Sequence, residues 1–341
     1  MKTVSLRNHS IDIIRYFCAI LVVSIHTAPF RQSCYGAYYV LTQFIARIGV
    51  PFFFAVSGYY FFQKLEKGNL RFWKFLFEIL KKYLIWSMIY YAVLFVEGGC
   101  YHLPEFLKTC VLDFFIYGSY YHFWYFPALI YSSCAAYLMY KIGLRKGMLL
   151  ISLALFAIGC MGCAYSGLFD SVTRLKVLFA SSTFKLARRI VLTGVPFFVC
   201  GYLILKIQQR EPKYLTGTNC KWALAGAVTL WVCEFLVLHI MKWNGHMSIS
   251  LGMYPVVVTL ILTAQQYPLP SYQNLSEKCR VLAGFTYYAH PLVILYLEKA
   301  STKIYWTAYG VPMFLVTMLV TLTGGLLIWK CRNKYLTVLA S

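Results

Sequence analysis

An all-α, polytopic membrane protein is what this sequence predicts, and three observations lead there. Of 341 residues, 60% are hydrophobic and only 13% are charged. The apolar residues fall into runs long enough to span a bilayer, which takes about 20 residues of helix. Charged residues gather between those runs. A soluble chain of this length has no way to hide so much apolar surface in one core.

Ten spans follow in order, at about 11–30, 44–63, 75–96, 122–140, 147–168, 189–206, 221–240, 249–267, 281–299 and 309–330. The first run is read as a transmembrane helix and not as a cleavable leader. It is long, carries embedded ionisable groups and lacks a small-x-small cleavage site. Segment 109–121 is aromatic and too short to cross, so it reads as an interfacial or re-entrant piece. No internal repeat and no soluble domain is expected, which leaves residues 1–341 as one transmembrane domain.

Orientation follows from the basic residues. With the N-terminus inside, twenty of the 32 Lys and Arg residues face the cytoplasm, among them Lys64, Lys67, Arg71, Lys74, Lys81 and Lys82. Ten fall outside, and two, Arg15 and Arg47, lie within spans. This asymmetry predicts that both termini are cytoplasmic. One connection runs against it: Arg174, Lys176, Lys185, Arg188 and Arg189 of 169–188 and its flank fall outside, and long loops obey the rule poorly. The formal charge of +21 fits a protein facing anionic lipid, because the basic residues sit between apolar runs and line no groove-facing surface. Nucleic acid is therefore not an expected partner. Most of the 12 cysteines lie within apolar runs, where a thiol behaves as a small hydrophobe. That includes the CxxC of Cys160 and Cys163, read as packing. Cys34, Cys100 and Cys110 fall in predicted outer loops and are candidates for one disulfide.

The polar side chains inside the spans carry the functional signal. Asp12, Arg15, Ala19, Val22 and His26 step by 3, 4, 3 and 4, which places them on one helix face. Arg15 and His26 are eleven residues apart, roughly 16 Å along the axis. An ionisable group in a bilayer costs roughly 2.5–3.5 kcal/mol on insertion scales, so it needs a partner, a wet cavity or a task. Threading the topology puts Asp12 and Arg15 in the cytoplasmic half and His26 in the outer half of the first span. Arg47, His122, Trp124, Arg188, Arg189 and Glu234 also fall in outer positions, and His290 lies mid-span before Pro291, where a proline frees a backbone carbonyl. Plainer readings stand beside these. Asp12 and Arg15 at i, i+3 also read as a neutralised structural pair, His122 beside Trp124 as an interfacial belt residue, and His239 and His246 as solvated. No histidine pair has zinc-ligand spacing, and no metal is expected.

At this point the residues resemble a family. Asp12-Ile-Ile-Arg15, ten residues and then His26 are similar to the arginine-x10-histidine motif of the membrane acyltransferase-3 family, multi-pass bacterial O-acyltransferases that decorate surface polysaccharides, peptidoglycan and antibiotics. Arg47 through Pro51 to Ser57-Gly58 resembles that family's second-helix signature, His122-Phe-Trp124-Tyr-Phe-Pro127 its fourth-helix one, Arg189 through Pro196 to Gly201 its sixth-helix block, and Tyr288-Ala-His290-Pro291 its late histidine-proline block. The likeness extends over essentially the whole chain. Within the family it is nearest to the membrane half of vancomycin-resistance-type membrane serine racemases, where these blocks precede a pyridoxal-phosphate domain and the membrane part is linked to serine uptake. The sequence given holds no lysine-bearing soluble domain up to Ser341, so racemase activity is not expected of it unless it is a fragment of a longer protein. Two departures stand out. The family's arginine-x-x-arginine motif, associated with the acyl-CoA donor, is met by Arg71-Phe-Trp-Lys74, which keeps the charge but loses one bidentate fork. Ser248 stands about where close relatives carry an aspartate.

The resemblance implies acyl transfer from cytoplasmic acyl-CoA, acetyl in the first instance, to a hydroxyl of a cell-surface glycan or similar acceptor, in the bacterial cytoplasmic membrane. No bound cofactor is implied; acyl-CoA is a co-substrate. His26 is the candidate general base, since imidazole titrates near neutrality. Arg15 is the candidate donor contact, with Asp12 orienting its guanidinium. Arg71 and Lys74 are candidates for the donor's anionic nucleotide, and Arg47, His122, Trp124, Arg189, Glu234 and His290 for the acceptor side. The competing expectation is a permease for a small polar molecule such as serine, which also needs polar residues at two depths.

Overall fold

The structure, a computed structural model, describes residues 8–98, 103–243, 247–269, 272–304, 310–331 and 338–340. Cys100 and His246 lie outside the described residues. Among those described, every regular element is helical. We number the principal helices α1 (His9–Thr27), α2 (Tyr35–Glu66), α3 (Phe72–Gly98), α4 (Leu103–Leu112), α5 (Tyr125–Lys141), α6 (Arg145–Met161), α7 (Thr173–Ala180), α8 (Ser182–Arg210), α9 (Gly217–Ile240), α10 (Met253–Gln266), α11 (Gln273–Ile304) and α12 (Val311–Cys331).

Six of these, α1, α2, α3, α8, α9 and α12, are long and apolar enough to cross a membrane. The other four predicted spans are also helices. α5 and α6 have 17 residues each, α10 has 14, and α11 has 32 with charged residues at both ends. A helix of 14 residues reaches about 21 Å against a hydrocarbon core of about 30 Å. The second span starts at Tyr35, earlier than expected. Its first residues, Tyr35-Gly-Ala-Tyr-Tyr, are too polar for a hydropathy reading yet form continuous helix. Segment 109–121 is the end of α4, a π-helical turn at Asp113–Tyr117 and a bend. Tyr91 and Tyr83 of α3 fasten it by donating to the carbonyls of Cys110 and Phe114 at 2.7 Å each, and Ser87 meets Ser119 at 2.7 Å. Cys34, one of the three disulfide candidates, is a free thiol, and Cys160 and Cys163 are buried.

Two compact units emerge, residues 1–53, 210–235 and 252–341, and residues 54–209 and 236–251. In the first, α1 packs on α11 and α12. Asp12 meets Ser276 and His26 meets His290, so residue numbers rise together along both helices and α1 runs parallel to α11. Both intervals are fourteen residues, two heptads, the spacing that keeps one seam of two helices in contact. α12 runs antiparallel to α11. Lys278 stacks on Trp329 at 4.4 Å, and a Cβ at Gly324 or Gly325 would lie 2.6 Å from the Phe285 ring or 2.7 Å from Leu282. Gly310, with a φ of +93°, turns the chain into α12 and donates to the Thr27 carbonyl at 3.1 Å. The start of α1 and the end of α12 therefore lie at the same end of this unit.

In the second unit, α2 and α8 cross backbone to backbone. A Cβ at Gly58 would fall on the carbonyl oxygen of Phe198 and 2.8 Å from its carbon, and one at Gly201 would lie 2.7 Å from the Ala55 oxygen. Phe61, Phe62, Phe198 and Tyr202 close around the crossing with ring centroids 5.0–5.9 Å apart. At the end of α2, Glu66 pairs with Lys206 at 2.5 Å and accepts from Gln209 at 2.7 Å, both on α8.

The expectation of no repeat needs one amendment. Gly-Val-Pro-Phe-Phe occurs at 49–53 and again at 194–198; the first copy comes after the π-helical segment Tyr39–Phe44, and the second begins on the last residue of the π-helical segment Arg188–Gly194. In the first copy a 3-10 turn, Ile45–Ile48, intervenes. Pro51 and Pro196 deprive the carbonyls four residues back, those of Arg47 and Leu192, of a helical donor. The ladder is broken there in any case, and a wider turn costs little more.

Candidate active site

Two polar levels lie along the α1–α11 seam. The lower begins with Asn8, whose side chain caps α1 by accepting from the backbone N–H of Ser10 at 2.9 Å and of Ile11 at 3.3 Å, satisfying donors that helix geometry leaves open. Asn8 also donates to the Ala264 carbonyl at the end of α10, at 3.1 Å. One turn on, Asp12 is 2% exposed. Its Oδ1 accepts from Arg15 at 3.1 Å and its Oδ2 from the Ser276 hydroxyl of α11 at 3.0 Å. His9 Nδ1 lies 2.9 Å from the same hydroxyl oxygen. Ser276 has one proton, committed to Asp12, so His9 must donate. The result is a continuous chain, His9 to Ser276 to Asp12, with Arg15 on the far oxygen. A buried carboxylate held this way is affordable in a low-dielectric interior, where an unpaired one is not.

The upper level pairs His26 with His290, ring centroids 5.3 Å apart and planes tilted by 32°. His290 is fully buried. Its Nδ1 lies 2.9 Å from the Thr286 carbonyl and 3.0 Å from that of Tyr287. Carbonyls only accept, so Nδ1 carries the proton and the neutral ring presents Nε2 as an acceptor. The sequence explains this local geometry. Pro291 lacks an N–H, so the carbonyl four residues back, that of Tyr287, loses its helical donor and His290 supplies a replacement. Arg47 sits in the 3-10 turn of α2 with its guanidinium 2.6 Å from Gln43 Oε1 and within electrostatic reach of His26. Gly49 brings this part of α2 onto α1, since a Cβ there would lie 3.0 Å from the Cys18 carbonyl oxygen.

The two levels are fourteen residues apart on each helix, about 21 Å. A profile of the acyltransferase domain family, acyltransferase-3, matches residues 8–330. The chain belongs to that family. Membership supports membrane acyltransferase activity in general. Three curated relatives are racemases. An amino-acid racemase of Enterococcus faecalis is 31% identical over 207 residues, 60% of this chain and 29% of that protein. Another protein of that name from Enterococcus faecalis is 27% identical over 337 residues, 96% of this chain and 47% of its own length. A serine/alanine racemase of Enterococcus gallinarum is 29% identical over 342 residues, 97% of this chain and 47% of that protein. The chain thus spans about half the length, or less, of these relatives. No solved structure matches it.

The acyltransferase-3 blocks divide between the two units. The first unit brings together Asp12 with Arg15, and His26 with His290 and Arg47. It also holds Glu234, whose Oε2 accepts from the N–H of Gly252 at 2.7 Å. Gly252 is the N-cap of α10, so the carboxylate anchors the start of that helix, where negative charge is favourable. This is a structural task that the sequence did not suggest.

The second unit holds the remaining predicted residues. His122 is buried in a shell of rings, with Phe123 at 3.9 Å, Tyr90 at 5.4 Å and Tyr121 at 5.6 Å between centroids. Trp124 stands at the N-cap of α5, 6.2 Å from the Phe54 ring. Arg189 is half-buried within the π-helical segment of α8. Arg71 and Lys74 are exposed at the start of α3. Lys74 edges an apolar groove of about 720 Å³ walled by Phe77, Leu80, Phe114, Phe115 and Ile130. Ser248 lies 3.5 Å from Cys163.

Sequence reasoning missed His9 and Ser276. Ser276 falls in a polar stretch read as a connection before the ninth span, and nothing local distinguishes it. One signal was present: Ser276 precedes His290 by the same fourteen residues that separate Asp12 from His26.

Proposed function

We propose that this acyltransferase-3 protein moves an acyl group, acetyl in the first instance, from cytoplasmic acyl-CoA to a hydroxyl of a cell-surface glycan or similar acceptor. The observation that carries the reading is the two-level seam, with Arg15 on Asp12 at one level and His26 beside His290 at the other. In this scheme the membrane is the bacterial cytoplasmic membrane, residues 1–341 act as one domain of ten spans, and both termini are cytoplasmic. Parallel α1 and α11, and the shared end of α1's start and α12's finish, support that topology.

His26 is the general base. It takes the proton of the acceptor hydroxyl as the oxygen attacks the thioester carbonyl. The tetrahedral oxyanion collapses with cleavage of the C–S bond, and the departing thiolate receives the proton. His290, its Nδ1–H fixed on two carbonyls, holds the His26 ring in place. Arg15, oriented by Asp12, contacts the donor through charge-assisted hydrogen bonds. Arg71 and Lys74 attract its anionic nucleotide. Arg47, His122, Trp124, Arg189 and Glu234 are assigned to the acceptor side from the sequence topology.

The test is acyl transfer from radiolabelled acetyl-CoA in membranes. His26→Ala abolishes turnover and Arg15→Lys raises the apparent KM for the donor; wild-type turnover in His26→Ala removes the general-base assignment. A second reading is favoured by the names of the relatives, which are amino-acid and serine/alanine racemases. In it the chain carries a small amino acid such as serine across the membrane. Uptake of labelled serine by proteoliposomes with no acyl donor present would favour that reading over the first.

A further inference from the structure

We infer that Ser276 and His9 are positioning residues for Arg15, fixing its guanidinium for the anionic donor through the carboxylate of Asp12. The inference rests on the donor reading of Arg15 given above and names two residues outside the motif that carries it.

The geometry leaves the carboxylate little freedom. Its two oxygens are engaged from different helices, Oδ1 by Arg15 within α1 at 3.1 Å and Oδ2 by Ser276 of α11 at 3.0 Å. With the Arg15 contact alone, Asp12 and Arg15 form an i, i+3 pair that swings as a unit about two flexible side chains. The Ser276 bond adds a point on a second helix and fixes the plane of the carboxylate, hence the direction in which it holds the guanidinium. Asp12 and Ser276 are both buried, whereas the Arg15 side chain is 26% exposed. The anchor is therefore dry and the cation retains access. Ser276 is itself held on both sides, because its hydroxyl donates to Asp12 while its oxygen accepts the His9 N–H at 2.9 Å. His9 in turn stands one residue inside the Asn8 cap, on the first turn of α1. The chain His9–Ser276–Asp12–Arg15 is thus an oriented series of donors and acceptors with one consistent proton arrangement. A contact whose task were only to join α1 to α11 would not need to end on a partly exposed cation.

The probe is coenzyme A itself, titrated calorimetrically into the detergent-solubilised full chain, with the KM for acetyl-CoA read in membranes alongside. Arg15→Ala is expected to weaken coenzyme A binding about tenfold or more, the loss of a charge-assisted contact. Ser276→Ala and His9→Phe are expected to weaken it about three- to tenfold, and to raise the acetyl-CoA KM by the same factor while kcat stays within about twofold. Ser276→Thr keeps the hydroxyl, and His9→Asn keeps an N–H near the Nδ1 position; both are expected to restore affinity to within about twofold. A purely structural role would lower thermal stability without this split or this rescue. If Arg15→Ala weakens binding while Ser276→Ala and His9→Phe bind as wild type, the positioning role is overturned and the donor reading stands. If Arg15→Ala binds coenzyme A unchanged, or wild type does not bind it, the donor reading falls and this inference falls with it. Should Ser276→Ala fail to give a monodisperse protein, the His9→Phe and His9→Asn pair decides by the same criteria.

Discussion

Replacing Gly58 by alanine tests the helix crossing that organises the second unit. The new methyl group would fall on the Phe198 carbonyl oxygen and 2.8 Å from its carbon. Ordinary carbon contacts lie at about 3.5–4.0 Å and the carbonyl oxygen lies nearer than its carbon, so α2 and α8 must part by more than about 1 Å, which forfeits at least a quarter to a half of each contact's attraction. Three ring pairs straddle the crossing, Phe61–Phe198 at 5.2 Å, Phe62–Phe198 at 5.9 Å and Phe62–Tyr202 at 5.0 Å, each worth about 0.5–1.5 kcal/mol when well seated. Overpacking a close-packed interior costs about 1–3 kcal/mol, and alanine returns about 1 kcal/mol of helix propensity. The net expectation is a loss of about 1–3 kcal/mol, measured by equilibrium denaturation of the solubilised protein. Gly201→Ala addresses the same crossing from the other side. The double variant should therefore lose less than the two single losses combined, because helices already parted by one methyl have room for the next. Gly226→Ala is the control: its Cβ would meet nothing within 4 Å, so it should be neutral or slightly stabilising. Single variants at Gly58 and Gly201 that are as stable as Gly226→Ala would refute the crossing.

Two more expectations separate structure from chemistry. His290→Asn keeps an N–H for the Thr286 and Tyr287 carbonyls but removes Nε2, so the thermal midpoint should hold while acyl transfer falls by about 10²-fold or more; His290→Leu should lose both, with about 1–3 kcal/mol of stability gone to the orphaned carbonyl of Tyr287. Glu234→Gln preserves an acceptor for the Gly252 N–H and should cost less than about 1 kcal/mol, whereas Glu234→Leu should cost about 1–2 kcal/mol. Unchanged turnover in a stable Glu234→Gln protein would assign that residue to anchoring α10 and remove it from the acceptor side.

The architecture was legible because hydropathy and helix length are properties of contiguous sequence. All ten apolar runs correspond to helices. Their ends were harder to read. The tyrosines at 35, 38 and 39 lower the hydropathy without breaking the helix, and α6 stops at Met161 although its apolar run continues. The π-helical segments left no trace in composition, although the pentapeptide that comes after one of them and begins on the last residue of another was there to be found twice. The site was half legible. Asp12, Arg15 and His26 share a face because of local periodicity, and the His290-Pro291 pair correctly marked a freed carbonyl. What lies opposite each of them is a tertiary fact. Ser276 looks like any serine in a polar stretch, and nothing local shows that a carboxylate oxygen of Glu234 accepts from the N–H of Gly252.

The equal spacing along the seam connects the two halves of the proposed chemistry. Asp12 and Ser276 at one level, and His26 and His290 at the other, are bound to two parallel helices whose register admits no intermediate setting. A slide of one turn, about 5.4 Å, would part both pairs at once, since each pair is held by contacts shorter than or about equal to that distance. The lower network therefore does more than neutralise a buried carboxylate. It lies in the same register of α1 against α11 that brings the His26 ring to His290, some 21 Å away at 1.5 Å per residue, and the packing of the two helices along their length holds that register when the Ser276 hydroxyl alone is removed. On this view the arginine and histidine of the motif are two readouts of a single helix register, and Ser276 acts within it at the arginine's level alone.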